Sequence, residues 1–166
     1  MLAVAVARAI EKVSGIETKI KWVNDIFING KKVCGILTES GIDVTTGKLD
    51  YVVVGIGINV GKIEFPKELK EIATSICNEC NDIVMRNDLI VEVLKELENW
   101  YPSIWDGSFV KESRKRSLLL GKEIFVMGEH IYQAKAVELD DMGHLWIEKD
   151  GKKQLLHSGE VSIKLS

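Results

Sequence analysis

Lys21-Trp22-Val23-Asn24-Asp25-Ile26-Phe27-Ile28-Asn29-Gly30-Lys31-Lys32-Val33-Cys34-Gly35-Ile36-Leu37-Thr38-Glu39 is the stretch whose reading decides the fold. Short β-branched and aromatic runs flank Asn29-Gly30, a strong signal for a tight hairpin turn. The pattern predicts strands over 18–23, 25–29 and 32–40. Downstream, Thr46-Gly47 marks a second turn, and Leu49 to Val60 is a long β-branched run. Together these segments predict an antiparallel meander.

On either side the periodicity changes. Residues 2–13 carry Leu2, Val6, Ala9, Ile10 and Val13 on one helical stripe, ended by Ser14-Gly15. Pro66 predicts a helical start running to about Cys80, since proline suits a first helical turn. Asn87-Asp88 is placed to cap a longer helix to about Trp105, and a short basic helix is expected over 109–117. From Gly121 only short alternating runs remain, at 122–128, 131–139, 143–148, 152–157 and 160–165. Five short strands of this kind suggest a small SH3-like barrel. The expected organisation is residues 1–118 as one α+β unit and 119–166 as the barrel.

Composition removes several function classes. The 166 residues are 46% hydrophobic and 28% charged, an ordinary globular balance. A net charge of −3 gives no electrostatic footprint for nucleic acid. Apolar runs fall short of a membrane span, and the first run breaks at Arg8 with no basic segment before it, so no signal peptide is expected. Three cysteines, an odd and sparse count, suit a reducing, cytoplasmic setting. Cys77 and Cys80 form a C-x-x-C, but a zinc site needs a second ligand pair, so helix packing is the expected role and no metal ligand is assigned. The opening in the middle of an amphipathic helix suggests that a further segment lies upstream.

Two features carry chemistry. The hairpin brings Trp22, Asn24, Asp25, Lys31 and Lys32 into one neighbourhood, where an ammonium can meet an anionic oxygen and Gly35 can admit a ligand to the backbone. Strict alternation puts Lys32 and Gly35 on opposite faces, so both serve one ligand only if the strand twists or bulges, or Lys32 reaches in from its start. A solvated hairpin with basic turn residues would read the same way. Next, Gly55, Gly57 and Asn59 line one strand face, a surface for a flat ring with an amide at its end. Glycines needed for close packing are the other reading. The spacing is wrong for a dinucleotide fingerprint, and no G-x-x-x-x-G-K-[ST] loop exists. His130, His144 and His157 all fall in the barrel segment, away from any serine-based triad.

Taken together the motifs resemble those of biotin protein ligases. That family carries K-W-P-N-D, then K-x-x-G-[IV]-L-x-E, then G-I-G-[IL]-N. Here they stand as Lys21 to Asp25, Lys32 to Glu39, and Gly55 to Asn59, in order. The run Ser158 to Lys164 resembles the family's closing barrel strand.

The resemblance implies a class II synthetase-like catalytic fold of mostly antiparallel sheet, followed by the barrel. It also implies ATP- and Mg²⁺-dependent activation of biotin to biotinyl-adenylate, then transfer to a lysine of a biotin carboxyl carrier protein. Lys32 would steady the biotin carboxylate and α-phosphate, with Asp25 and Asn24 on the nucleotide or metal side. Gly35 and Ile36 would border biotin, Trp22 would form pocket wall, Gly57 and Asn59 would face adenine, and Lys164 would reach the nucleotide. Two departures matter. Val23 replaces the family's proline, and the Gly/Arg-rich loop G-R-G-R-x-x-R is absent, the four arginines being Arg8, Arg86, Arg114 and Arg116. The resemblance therefore predicts weak or no ligase activity for this chain alone, or a regulatory or complementing role. It also predicts a homodimer or pairing with an upstream half, and no DNA-binding segment.

Overall fold

The computed structural model describes residues 1–127 and 130–156, and the backbone of 162–165. Helix α1 (Leu2–Ser14) buries Val4, Val6, Ala7, Ala9 and Ile10, and Gly15 closes it at φ +70 with its N–H donating to the Glu11 carbonyl. A four-stranded antiparallel sheet follows in the order β1-β2-β3-β4: β1 (Lys19–Lys21), β2 (Asp25–Ile28), β3 (Lys31–Ile42) and β4 (Leu49–Ile58). One face of this sheet packs on α1 and on α3 (Arg86–Trp100) through Ile20, Ile26, Val33, Cys34, Ile36, Leu89 and Val93.

Between sheet and α3 the structure departs from the sequence reading. The expected helix from Pro66 to Cys80 is a series of turns, with only the four-residue α2 (Ile76–Glu79) helical. The reason is tertiary. Lys32 N–H donates to the Ile72 carbonyl and Thr74 N–H donates to the Lys32 carbonyl, both at 2.9 Å, so β3 takes the backbone groups that a helix would have used. Helix α3 starts at Arg86 with Met85 as cap rather than at Asn87-Asp88. It stops at Trp100, because Pro102 has no N–H to continue it, and α4 (Ser103–Asp106) and α5 (Ser108–Arg116) follow.

The C-terminal strands β5 (Glu123–Met127), β6 (Ile131–Leu139), β7 (Leu145–Lys149), β8 (Lys152–Leu156) and β9 (Ser162–Leu165) form a second antiparallel sheet, ordered β8-β7-β6-β5-β9. Its own core holds Leu119, Ile124, Val126, Ala136, Leu145 and Ile147. The expected barrel is not seen to close: among the described residues no ladder joins β8 to β9. The readings of His157 and of Ser158 to Val161 lie outside the described residues, as does the Lys164 side chain.

The two cores are joined at specific points. Trp22 Nε1 donates to the Gly143 carbonyl at 3.0 Å. Arg114 donates to the Leu139 carbonyl and to Asp141, both at 2.8 Å. Leu118 N–H donates to the Ile20 carbonyl at 2.8 Å. Among the described residues no helix is long and apolar enough to cross a membrane.

Candidate functional site

The site is built by a register fault. Asp25 pairs with Gly35 and Ile26 with Cys34, but Phe27 pairs with Lys32, so Val33 has no partner of its own and forms a β-bulge. Val33 and Cys34 consequently both face the core. One extra residue reverses the alternation, which brings Lys32 onto the same face as Asp25 and Gly35. Of the routes left open by the sequence, the bulge is the one the chain takes.

Across the sheet that face reads Asp25, Gly35, Gly57, since Gly35 also pairs with Gly57. Lys32 Nζ lies 2.6 Å from Asp25 Oδ1. A Cβ at Gly35 would stand 3.2 Å from both Cε and Nζ of Lys32, so the lysine lies over this glycine. Gly55 and Gly57 differ. A Cβ there would meet nothing nearer than 3.9 Å and 3.8 Å, and both residues are exposed. Packing does not require glycine at either position. What they provide is a flat, bare patch of backbone beside a cation–carboxylate pair.

The remaining expected residues surround this patch unevenly. Ile36 is buried on the opposite face, and its N–H donates to the Asn24 carbonyl at 3.1 Å. Asn59 follows the end of β4. Its backbone N–H donates to Val33 O at 2.9 Å and its Nδ2 to Thr74 O at 3.0 Å, which tethers it to the turn that also pins Lys32. Trp22 is half-buried at the junction of the two cores, where with Val23, Asn24, Phe109 and Gly143 it lines a cavity of about 210 Å³. The Trp22–Val23 peptide is cis. Lys164 pairs through its backbone with Phe125 in β9.

Electrostatics set the site's chemistry. Burial, aided by the Asp25 charge, pushes the Cys34 thiol up to about 12, so it serves as core and not as a nucleophile. Lys21, across the ladder from Asp25, has its pKa lowered by burial and by Lys32, against an opposing pull from Asp25. Three of the arginines are engaged elsewhere: Arg8 with Glu96 and Glu112, Arg114 with Asp141, and Arg116 with Glu11 and Glu112. Arg86 lines an apolar groove between β4 and α3. Among the described residues no cluster of three or more metal-ligating side chains exists.

Sequence reasoning missed a neighbouring polar groove of about 640 Å³ lined by Lys31, Lys62, Lys70, Thr74, Asn78 and Glu79, among others. Its walls combine Lys31 and residues 62–65 with the turn segment expected to be helical. The only sequence signal for it is the lysine content of that stretch.

Three comparisons bear on this geometry. Residues 1–59 match the model of the Biotin/lipoate A/B protein ligase family. The chain is 34% identical over 170 residues to the bifunctional ligase/repressor BirA of Bacillus subtilis, covering 98% of this chain and 51% of that protein. It is 30% identical over 151 residues to the biotin–[acetyl-CoA-carboxylase] ligase of Mycobacterium tuberculosis, covering 87% and 53%. It thus spans about half the length of these curated relatives. The biotin protein ligase of Aquifex aeolicus, solved in complex with biotin and ATP, superposes with a TM-score of 0.85 at 30% identity, covering 99% of this chain and 69% of that one. On this agreement of motif order, fold and sequence, the chain belongs to the biotin protein ligase family.

Proposed function

We propose that the face holding Lys32, Asp25, Gly35 and Gly57 is the biotin and nucleotide site of an ATP-dependent biotin–protein ligase, with residues 1–118 as its catalytic part and 119–166 as the small accompanying domain. The observation that carries this reading is the bulge. It sets a half-buried ammonium beside glycines that packing does not need. In the reaction, a biotin carboxylate oxygen attacks the α-phosphorus of ATP and pyrophosphate leaves. The lysine amine of a biotin carboxyl carrier protein then attacks the acyl carbon and AMP leaves. Lys32 offsets the negative charge gathered in the first step. The groove beyond Asn59 carries Lys31, Lys62 and Lys70 together with Glu64, Glu71 and Glu79, so it offers a nucleotide polar contacts without a net positive charge. Among the described residues no three metal-ligating side chains cluster at the patch, so a Mg²⁺ ion would arrive with ATP rather than be held by the protein alone.

A second reading is favoured by the edge of β4. At the edge of its sheet among the described residues, this strand exposes Tyr51, Val52 and Val53 by 48–58%, apolar side chains beside a free ladder edge. Such an edge suits a chain that pairs with another polypeptide, a second copy or a complementing ligase segment.

Calorimetry of the whole chain with biotin and with biotinyl-5′-AMP tests the first reading. Micromolar or tighter binding that is lost in Lys32→Ala supports it, and a folded chain that binds neither overturns it. Restored biotinylation of a carrier domain on mixing with the N-terminal part of the Aquifex relative would favour the second.

A further inference from the structure

A third charge shares the face of Asp25 and Lys32. Lys21 stands directly across the β1–β2 ladder from Asp25. Alternation sends both side chains, with Phe27, to the side of the bare glycines. Lys21 Nζ lies 6.0 Å from the centroid of the Phe27 ring, which keeps the ammonium over this face. Its neighbours along the hairpin are occupied elsewhere: Lys19 with Glu17, and Lys31 with the Lys70 carbonyl and Glu71.

Lys21 and Lys32 thus face one carboxylate. Lys32 holds it, at 2.6 Å, while Lys21 forms no ion pair among the described residues. If Lys32 turns its ammonium to an anionic substrate, it gives up some of its contact with Asp25. A half-buried carboxylate would then stand beside an incoming anion, and like charges this close repel in proportion to how poorly water screens them. Leaving a partly buried charge without its partner is the costly outcome.

We propose that Lys21 is a positioning residue, which neutralises Asp25 when Lys32 swings to an anionic substrate. The inference rests on the reading of Lys32 as the substrate-facing cation. The site is then a two-lysine relay around one carboxylate, with the same net charge before and after Lys32 changes partner. Lys21 itself touches no substrate.

The test uses the whole chain and has two arms. In the ligand-free arm, the Lys21 side chain is titrated by NMR. Lys32→Met removes a like charge and frees Asp25, so the Lys21 pKa rises; Asp25→Asn removes the attraction, so it falls. A Lys21 titration unmoved by both substitutions overturns the proposal whether or not any ligand binds. In the ligand arm, with biotinyl-5′-AMP as probe, Lys21→Met weakens binding by about tenfold, the weight of one unit of proton affinity. Lys21→Arg binds like wild type, a rescue that a purely steric role would not give. In the Asp25→Asn background, Lys21→Met has no further effect, because the charge it would neutralise is gone. Wild-type affinity in Lys21→Met alongside lost binding in Lys32→Ala overturns the role of Lys21 and leaves that of Lys32 standing. A wild-type chain that does not bind the probe overturns the reading of Lys32 and the relay with it.

Discussion

Lys32 and Asp25 are neighbours because Val33 is not paired. Their 2.6 Å contact crosses β2 and β3, and the lysine reaches it by lying over Gly35. Substituting this glycine therefore acts on the ion pair before it acts on the fold. In Gly35→Ala the new Cβ crowds only the flexible end of Lys32, with Asp25 Oδ1 at an ordinary 3.6 Å contact, so stability should stay within about 1 kcal/mol of wild type. Biotin binding should fall by about tenfold as the ammonium is displaced, the size of a single lost charge-assisted contact. Thermal melts and calorimetry together check this, and unchanged affinity would sink it.

Gly57→Ala separates the ligand floor from packing. Its Cβ has free space in the sheet, so the fold should tolerate it or gain slightly from a less flexible unfolded chain. A ring lying on the floor would be lifted. Intact melting with lost binding of biotinyl-5′-AMP is the expected result, whereas retained binding would place the ligand elsewhere.

Glu96 is a buried carboxylate that accepts from Arg8 at 3.0 Å and Trp100 at 3.1 Å, and pairs with Lys12 at 2.6 Å. Burial raises its pKa, but the bonds from Lys12 and Arg8 together outweigh that and hold it below the ordinary value. Glu96→Ala would strip the α1–α3 interface of its common acceptor, but Arg8 and Lys12 are part-exposed and keep Glu112 and Glu92, so the expected loss is about 1–3 kcal/mol in urea unfolding. The sign of the pH effect follows. A depressed carboxylate stabilises the fold fully above its unfolded pKa, and that contribution disappears as pH falls through its folded value.

The junction of the two cores should show the same acid sensitivity, visible by fluorescence. Asp140 is held at about 2: burial opposes ionisation, and bonds from His144, Trp146 and Met142 more than compensate. These bonds fix the turn whose Gly143 carbonyl receives the Trp22 indole N–H. As pH falls from 3.8 towards about 2, the stability this carboxylate contributes is lost. Tryptophan emission from Trp22 and Trp146 should shift in that interval, and should shift at neutral pH already in Asp140→Asn.

Trp22→Phe should weaken the same junction without touching the glycine face. It removes the donor to a partly buried carbonyl, an expected loss of about 1–3 kcal/mol. Hydrogen exchange around residues 139–145 checks the location, and faster exchange confined to the β3–β4 strands would contradict it.

The hairpin was legible because Asn29-Gly30 and the runs around it are local signals, and the glycine strand because period two is local too. The bulge was half legible. Val33-Cys34 is an apolar pair that simple alternation cannot bury together, yet only the β2 partner strand decides which residue is skipped. The turns over 66–75 were not legible, since their hydrogen bonds go to Lys32 and Asn59, residues far away in sequence. Helix propensity after Pro66 lost to those non-local partners. Trp22 shows the same limit. Its motif marks it as important, but its indole hydrogen bond goes to Gly143, 121 residues away.

Val33 contributes no polar atom to the patch and sits wholly in the core, yet it determines on which side of the sheet Lys32 is found. Substitution at Val33 changes packing, whereas the side on which Lys32 lies depends on Val33 being skipped in the ladder. The coding sequence therefore carries a frame inside the protein, two residues wide, as unforgiving locally as the three-base frame of the gene. Loss of the bulge alone, with Phe27 paired to Val33, would keep every residue named as chemically important and still turn the lysine away from its carboxylate.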